Sequence, residues 1–157
     1  MTRTKSPISV QLSCQTACDD INPTQLQRLA RRVLRHFNSP RVAATVAVVD
    51  DKTMKSMHRN FLGKAKITDV MSFDLSEPVE KSKFYEIIIN IEQARRQAAK
   101  RGHSVQAETA LYLVHGLLHQ LGFDDLDESQ ARRMHRQEDK ILKDAGFGNI
   151  YDSDRKG

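Results

Sequence analysis

Cysteine is scarce in this chain of 157 residues, which carries only Cys14 and Cys18. Two cysteines are too few for a disulfide framework and their spacing fits no zinc ribbon, so both are expected as reduced thiols. Long apolar runs are missing as well. No stretch approaches the roughly eighteen residues of a membrane span, so no membrane association is expected. The opening MTRTKSPISV holds Arg3 and Lys5 with no apolar segment behind them, so no secretory signal is expected and a cytoplasmic address follows. Repeats, low-complexity tracts and internal linkers are also absent. With 39% hydrophobic residues the chain can build one core, and its length leaves little room for a second. One domain over 1–157 is expected, with 1–7 and 151–157 as loose tails. Charge of one sign does not dominate: 25 Lys and Arg face 20 Asp and Glu, for a net +5. That is a mild leaning toward polyanions.

What is present is an alternation of strand and helix patterns. ISVQL, from Ile8, reads as a first strand. Asn22 and Pro23 supply an N-cap and a first helical position, and Leu26, Leu29, Ala30, Val33, Leu34 and Phe37 follow at helical spacing. Val42 to Asp50 is β-branched and nearly all apolar, as expected of a strand covered on both faces. A short helix should follow, capped by Asp50 or Asp51, with Met54, Met57, His58 and Phe61 on one stripe and Gly63 at its end. ITDVMSFDL and FYEIII are rich in strand formers, with Pro78 breaking the polar loop between them. Three helices complete the chain: one capped by Asn90 with Gly102 past its end, one capped by Ser104 and running to about Leu121, and one capped by Asp127 or Ser129 and running through Leu142 to Gly146. The order β-α-β-α-β-β-α-α-α predicts an α+β fold, with helices packed on a small mixed sheet of about four strands.

The chemistry concentrates in LVHGLLHQLGFDDLDE, Leu113 to Glu128. Residues four apart on a helix lie within roughly 40° of each other and about 6 Å along the axis, so His115 and His119 point the same way. That is how a helix presents two imidazoles to one Zn²⁺. The alternative is a pair of core histidines, since Leu111 and Leu118 share their face. Gly122 can turn the chain back through a left-handed cap, and Asp125, six residues after His119, can then reach under the helix as a third ligand. Three protein ligands with an open position are the catalytic form of a zinc site. The alternative for Asp124 and Asp125 is a polar turn or a cap for the last helix.

Gly116 narrows the chemistry. In metallopeptidases with the HExxH pattern the glutamate after the first histidine is the general base, and a glycine carries no proton. Peptide hydrolysis by that route is not expected. A metal still lowers the pKa of its bound water to about 7 and polarises a phosphoryl oxygen, so phosphodiester chemistry remains open, with His115 and His119 acting through the metal-bound water.

HGLLHQLGFDD resembles the H-G-x-L-H-x-x-G-[YF]-D-H signature of the YbeY family of bacterial endoribonucleases and rRNA maturation factors. ITDVMSFDL is similar to the family's P-T-[DN]-V-L-S-F strand, Glu108 precedes the histidine motif as in the family, and the likeness continues through Met134, Glu138 and ILKDAGF. It spans nearly everything from the first strand to Gly146. The resemblance implies an α+β domain with a central metal-site helix and one Zn²⁺ per chain. It implies an endoribonuclease specific for single strands, acting in 16S rRNA 3′-end maturation, ribosome quality control and 30S assembly. Its implied partners are rRNA and the small ribosomal subunit, with ribosomal proteins and assembly GTPases beside them.

The chain departs from the family pattern at three places. Asp125 stands where the family has its third histidine, so the inferred ligands are His115, His119 and Asp125; a carboxylate is harder than imidazole and makes bound water less acidic. Leu62 stands where the family has an arginine thought to serve the RNA. Arg59, one turn earlier, could supply a guanidinium to nearly the same region, or be an ordinary exposed arginine. Lys64 and Lys66 are further candidates for phosphate contact. Tyr85, Glu86 and Ile87 replace the family's G-D-I. His58, His103 and His135 fit no ligand spacing and are expected at the surface or partly buried. A non-catalytic ribosome-assembly factor on the same fold, and a metallohydrolase of another substrate, are the competing readings.

Overall fold

The computed structural model describes residues 8–37, 41–63, 68–79 and 81–147. Both expected tails, as well as Lys64 and Lys66, lie outside the described residues. The elements are β1 (Ile8–Cys14), α1 (Pro23–His36), β2 (Val42–Val49), α2 (Asp51–Leu62), β3 (Val70–Asp74), β4 (Lys83–Asn90), α3 (Ile91–Arg101), α4 (Val105–Gln120) and α5 (Glu128–Asp144). The fold is α+β around one four-stranded mixed sheet of order β1-β2-β4-β3. β1 and β4 run parallel to β2, and β3 returns antiparallel on β4.

The caps explain where the helices begin. Asn22, Asp50, Asn90, Ser104 and Asp127 each accept a hydrogen bond from a backbone N–H in the first turn of the helix they precede. Asp50 therefore takes the cap that Asp51 also offered, and Asp127 takes it from Ser129. Asp51 is engaged elsewhere: its carboxylate accepts from Arg96 Nη1 at 2.7 Å and from Asn90 Nδ2 at 2.8 Å, which ties α2 to α3.

Alternation along the strands separates two cores. Val46, Tyr85, Ile87 and Ile89 face α1, α3, α4 and α5 in the main cluster, whereas Ala47, Val49, Met71 and Ile88 face α2 and its Met54. The second face is covered only in part. β2 is buried at every position from Val46 to Val49, but Ala43 and Thr45 are half-buried. The expectation of a strand covered on both faces thus holds for its C-terminal half alone, because α2 spans only that end of the sheet. His58 also corrects an expectation. It lies on the inward stripe of α2 at 9% exposure, while His103 and His135 are half-buried.

α4 is the centre of the molecule. All its residues from Ala107 to Leu118 are buried except His115. A helix apolar on nearly every side belongs in the interior. It can approach the sheet closely because of Gly116: a Cβ there would meet Ile87 Cγ2 at 3.1 Å and Val70 Cγ2 at 3.2 Å. Position 116 points into the sheet, which is the physical reason it cannot carry a catalytic glutamate.

Candidate metal centre

The last two turns of α4 present His115 and His119 from the partly open side of the helix. Their rings meet edge to face with centroids 4.6 Å apart, and the two Nε2 atoms are separated by 3.1 Å. The chain then leaves the helix through Gly122, whose φ of 100° belongs to the left-handed region where a Cβ is disfavoured. Asp124 shapes the next step by accepting the Asp125 N–H at 2.9 Å. The turn aims the Asp125 carboxylate back at the helix, with Oδ2 3.9 Å from His115 Nε2 and Oδ1 3.9 Å from His119 Nε2. One donor atom from each of the three residues falls within 4.8 Å of the others.

That donor set fits a zinc ion. Two donors about 2.0 to 2.2 Å from a tetrahedral ion stand roughly 3.3 Å from each other, so the nitrogens are already at ligand separation and the exposed carboxylate needs only a small rotation. Two imidazoles and one carboxylate are three protein ligands, the number found in catalytic rather than structural zinc sites. The same residues exclude the simple core-histidine alternative: His115 and His119 turn their Nε2 atoms toward each other and toward a carboxylate, at the surface end of the helix.

Glu138 completes the arrangement from α5. Its side chain is fully buried, and its Oε2 lies 3.3 Å from His115 Nδ1. An ionised carboxylate only accepts, so Nδ1 carries the proton and Nε2 of the neutral ring is left as the ligand atom. Burial of His115 works against its charged form. The hydrogen bond and charge of Glu138, aided by Asp69 and Asp125, outweigh that burial and hold its pKa above the ordinary histidine value. The sequence contained a signal for this role. Glu138 occupies the inward stripe of α5 with Met134, Ile141 and Leu142, where an apolar residue would be expected.

The other candidates are not brought to this cluster. α2 packs on the opposite face of the sheet from α4, and Arg59 is exposed in its last turn with no ion pair among the described residues. Leu62 ends the same helix at 54% exposure. Asp69, immediately before β3, does approach the site, lining a cleft of about 240 Å³ with His115.

Residues 11–146 match the model of the family described as Endoribonuclease YbeY. The chain belongs to the YbeY family. Among its curated relatives, the Endoribonuclease YbeY of Carboxydothermus hydrogenoformans is 35% identical over 130 residues, which is 82% of this chain and 91% of that one. The Endoribonuclease YbeY of Gloeobacter violaceus is 33% identical over 155 residues, covering 93% of this chain and 79% of that protein. A solution structure from Thermotoga maritima superposes with a TM-score of 0.61 over 88% of both chains at 19% identity, a likeness of fold. The YbeY membership gives the His-Gly-Leu-Leu-His segment its context, and His115, His119 and Asp125 form a cluster that could hold a metal ion.

Proposed function

We propose that this protein is a zinc-dependent endoribonuclease specific for single strands, acting on rRNA in 16S 3′-end maturation, 30S assembly and ribosome quality control. The observation that carries the reading is the convergence of His115 and His119, on a helix whose other faces are buried, with Asp125 from the turn that follows it, their donor atoms all within 4.8 Å of one another. His115, His119 and Asp125 would hold the ion. A zinc ion there supplies a Lewis acid for a phosphoryl oxygen and acidifies water at neutral pH. The chain's own groups orient the site. Glu138 fixes the tautomer of His115, Gly122 and Asp124 present Asp125, and Gly116 seats the helix against Val70 and Ile87. No side chain at position 116 can take up a proton, so the reaction differs from that of HExxH peptidases.

The relatives' shared name, Endoribonuclease YbeY, supports RNA as the substrate, and the net charge of +5 agrees with a polyanion. Ribosomal RNA, ribosomal proteins and assembly GTPases are the partners that follow from this reading, and a cytoplasmic location goes with them. A second reading, a non-catalytic ribosome-assembly factor, is favoured by one observation: exposed Leu62 offers no cation where the family carries its arginine. Complementation separates the two. His115→Ala should fail to restore ribosome maturation in a strain lacking its YbeY, and the purified variant should not cut single-stranded RNA. Full rescue by His115→Ala would establish the binding role instead.

A further inference from the structure

Beside the metal cluster, α3 and α4 leave a cleft of about 240 Å³ whose walls include His115 itself. Its volume lies below the range typical of drug-sized ligands, so it holds a single ring system rather than a whole nucleotide. Three elements furnish it. Gln93, Gln97 and Arg101 lie at successive i, i+4 positions along α3, Tyr112 and His115 come from α4, and Asp69 stands at the entry to β3.

The polar groups divide into one acceptor and a row of donors. Asp69 Oδ1 accepts from its neighbours Val70 N–H at 2.7 Å and Thr68 Oγ1 at 3.4 Å, which fixes the carboxylate, while Oδ2 makes no hydrogen bond among the described residues. Gln93 Oε1 already accepts from Arg96 Nε at 3.0 Å and Nη2 at 2.6 Å, so the Gln93 amide offers its NH₂. Gln97 makes no side-chain hydrogen bond among the described residues. Arg101 is held by a 3.2 Å contact to fully buried Glu108, which fixes a guanidinium at the rim.

We infer that this cleft is a base-recognition subsite for guanine next to the scissile phosphate, resting on the ribonuclease reading above. Guanine alone among the four bases places two adjacent donors, N1–H and N2–H₂, beside an acceptor, O6. The open Oδ2 of Asp69, with two lone pairs, can take both donors in charge-assisted hydrogen bonds, and the amides of Gln93 or Gln97 can donate to O6. Uracil offers one donor and cytosine and adenine offer one amino group, so each leaves part of the site unsatisfied. Bases of single-stranded RNA are read on this edge once they are splayed from the stack.

Nucleosides test the subsite apart from catalysis. Guanosine, adenosine, cytidine and uridine are titrated separately into zinc-loaded and zinc-free protein, following the side-chain amide signals of Gln93 and Gln97 by NMR. Guanosine should shift both signals and bind at least about tenfold more tightly than uridine, with or without zinc. Asp69→Asn, which replaces an acceptor oxygen by a donor, and Gln97→Ala, at a half-buried position, should each remove most of that preference while the far-ultraviolet spectrum is unchanged. Equal responses to all four nucleosides, or none, overturn the assignment, as does a guanosine preference that survives both substitutions. Cleavage of single-stranded oligonucleotides is then mapped by sequencing. Guanosine binding with no zinc-dependent cutting defeats the ribonuclease reading and leaves the subsite standing. Cutting without regard to base, with no guanosine binding, does the reverse.

Discussion

Asp125 carries the most information per residue, because it sets a charged oxygen donor beside two imidazoles and is also the most exposed of the three cluster members. Asp125→Ala should lower zinc content below one per chain by elemental analysis; unchanged full occupancy would mean that the two histidines bind without it. Asp125→His should keep or tighten zinc, since imidazole is the softer ligand. Glu138 works one bond further out. Glu138→Gln keeps its volume and can still accept from His115 Nδ1, but it removes the negative charge that favours the bound cation. A loss of about ten- to a hundredfold in zinc affinity is expected by competition with a chelating dye. An affinity equal to that of the native chain would show that Glu138 only fills space. The sequence displayed Glu138 at a stripe position, but its partner lies twenty-three residues away on another helix, and no local pattern reports such a contact.

At the scale of elements, the packing of α4 on β3 and β4 constrains what the helix can carry. Gly116→Glu should not create a peptidase. It should destabilise the protein by at least about 2 kcal/mol in urea unfolding, since a side chain there is forced into Ile87 and Val70 and buries a charge. Wild-type stability of that variant would show that α4 can shift away from the sheet. The end of α2 presents the opposite case. Leu62 is exposed, so Leu62→Arg should leave the unfolding midpoint unchanged and raise affinity for single-stranded RNA. Arg59→Ala should lower the slope of log affinity against log salt by about 0.7, the effect of one lost phosphate contact. An unaltered slope would make Arg59 a solvated bystander, as its place across the sheet from α4 also allows.

For the whole molecule, a metal bound at the proposed site would compete with a proton for His115. Its pKa in the metal-free fold lies above the ordinary histidine value near 6.5, so protonation stabilises that fold at pH below about 6.5. The contribution is lost as pH rises through the folded value. Zinc bound through His115 would have to displace the same proton, so its affinity should rise with pH through that window. At pH 8 a hundredfold excess of zinc over its dissociation constant should raise the melting temperature by about 5 to 10 °C, and chelator should reverse the shift. At pH 5.5 the same zinc concentration should give a much smaller shift. Equal shifts at both pH values would exclude His115 as a ligand.

Local chemistry settled much of this fold before any tertiary contact was considered. The caps at Asn22, Asn90 and Ser104, the apolar stripe of α1, the β-branched run of β2 and the i, i+4 histidines of α4 are short-range patterns, and each is read within a turn or two of the chain. Tertiary structure decided what short-range patterns leave degenerate. Asp50 over Asp51 as a cap followed from the pairing of Asp51 with Arg96, and the burial of His58 followed from α2 seating its stripe on the sheet. The union of Asp69 with His115 in one cleft and of Glu138 with the same imidazole depended on β3, α3, α4 and α5 meeting at one end of the sheet. Contacts between residues distant in sequence arise only when separate elements bury their apolar faces together, and that common burial placed the Glu138 carboxylate, an acceptor for His115 Nδ1–H, behind the candidate metal ligands.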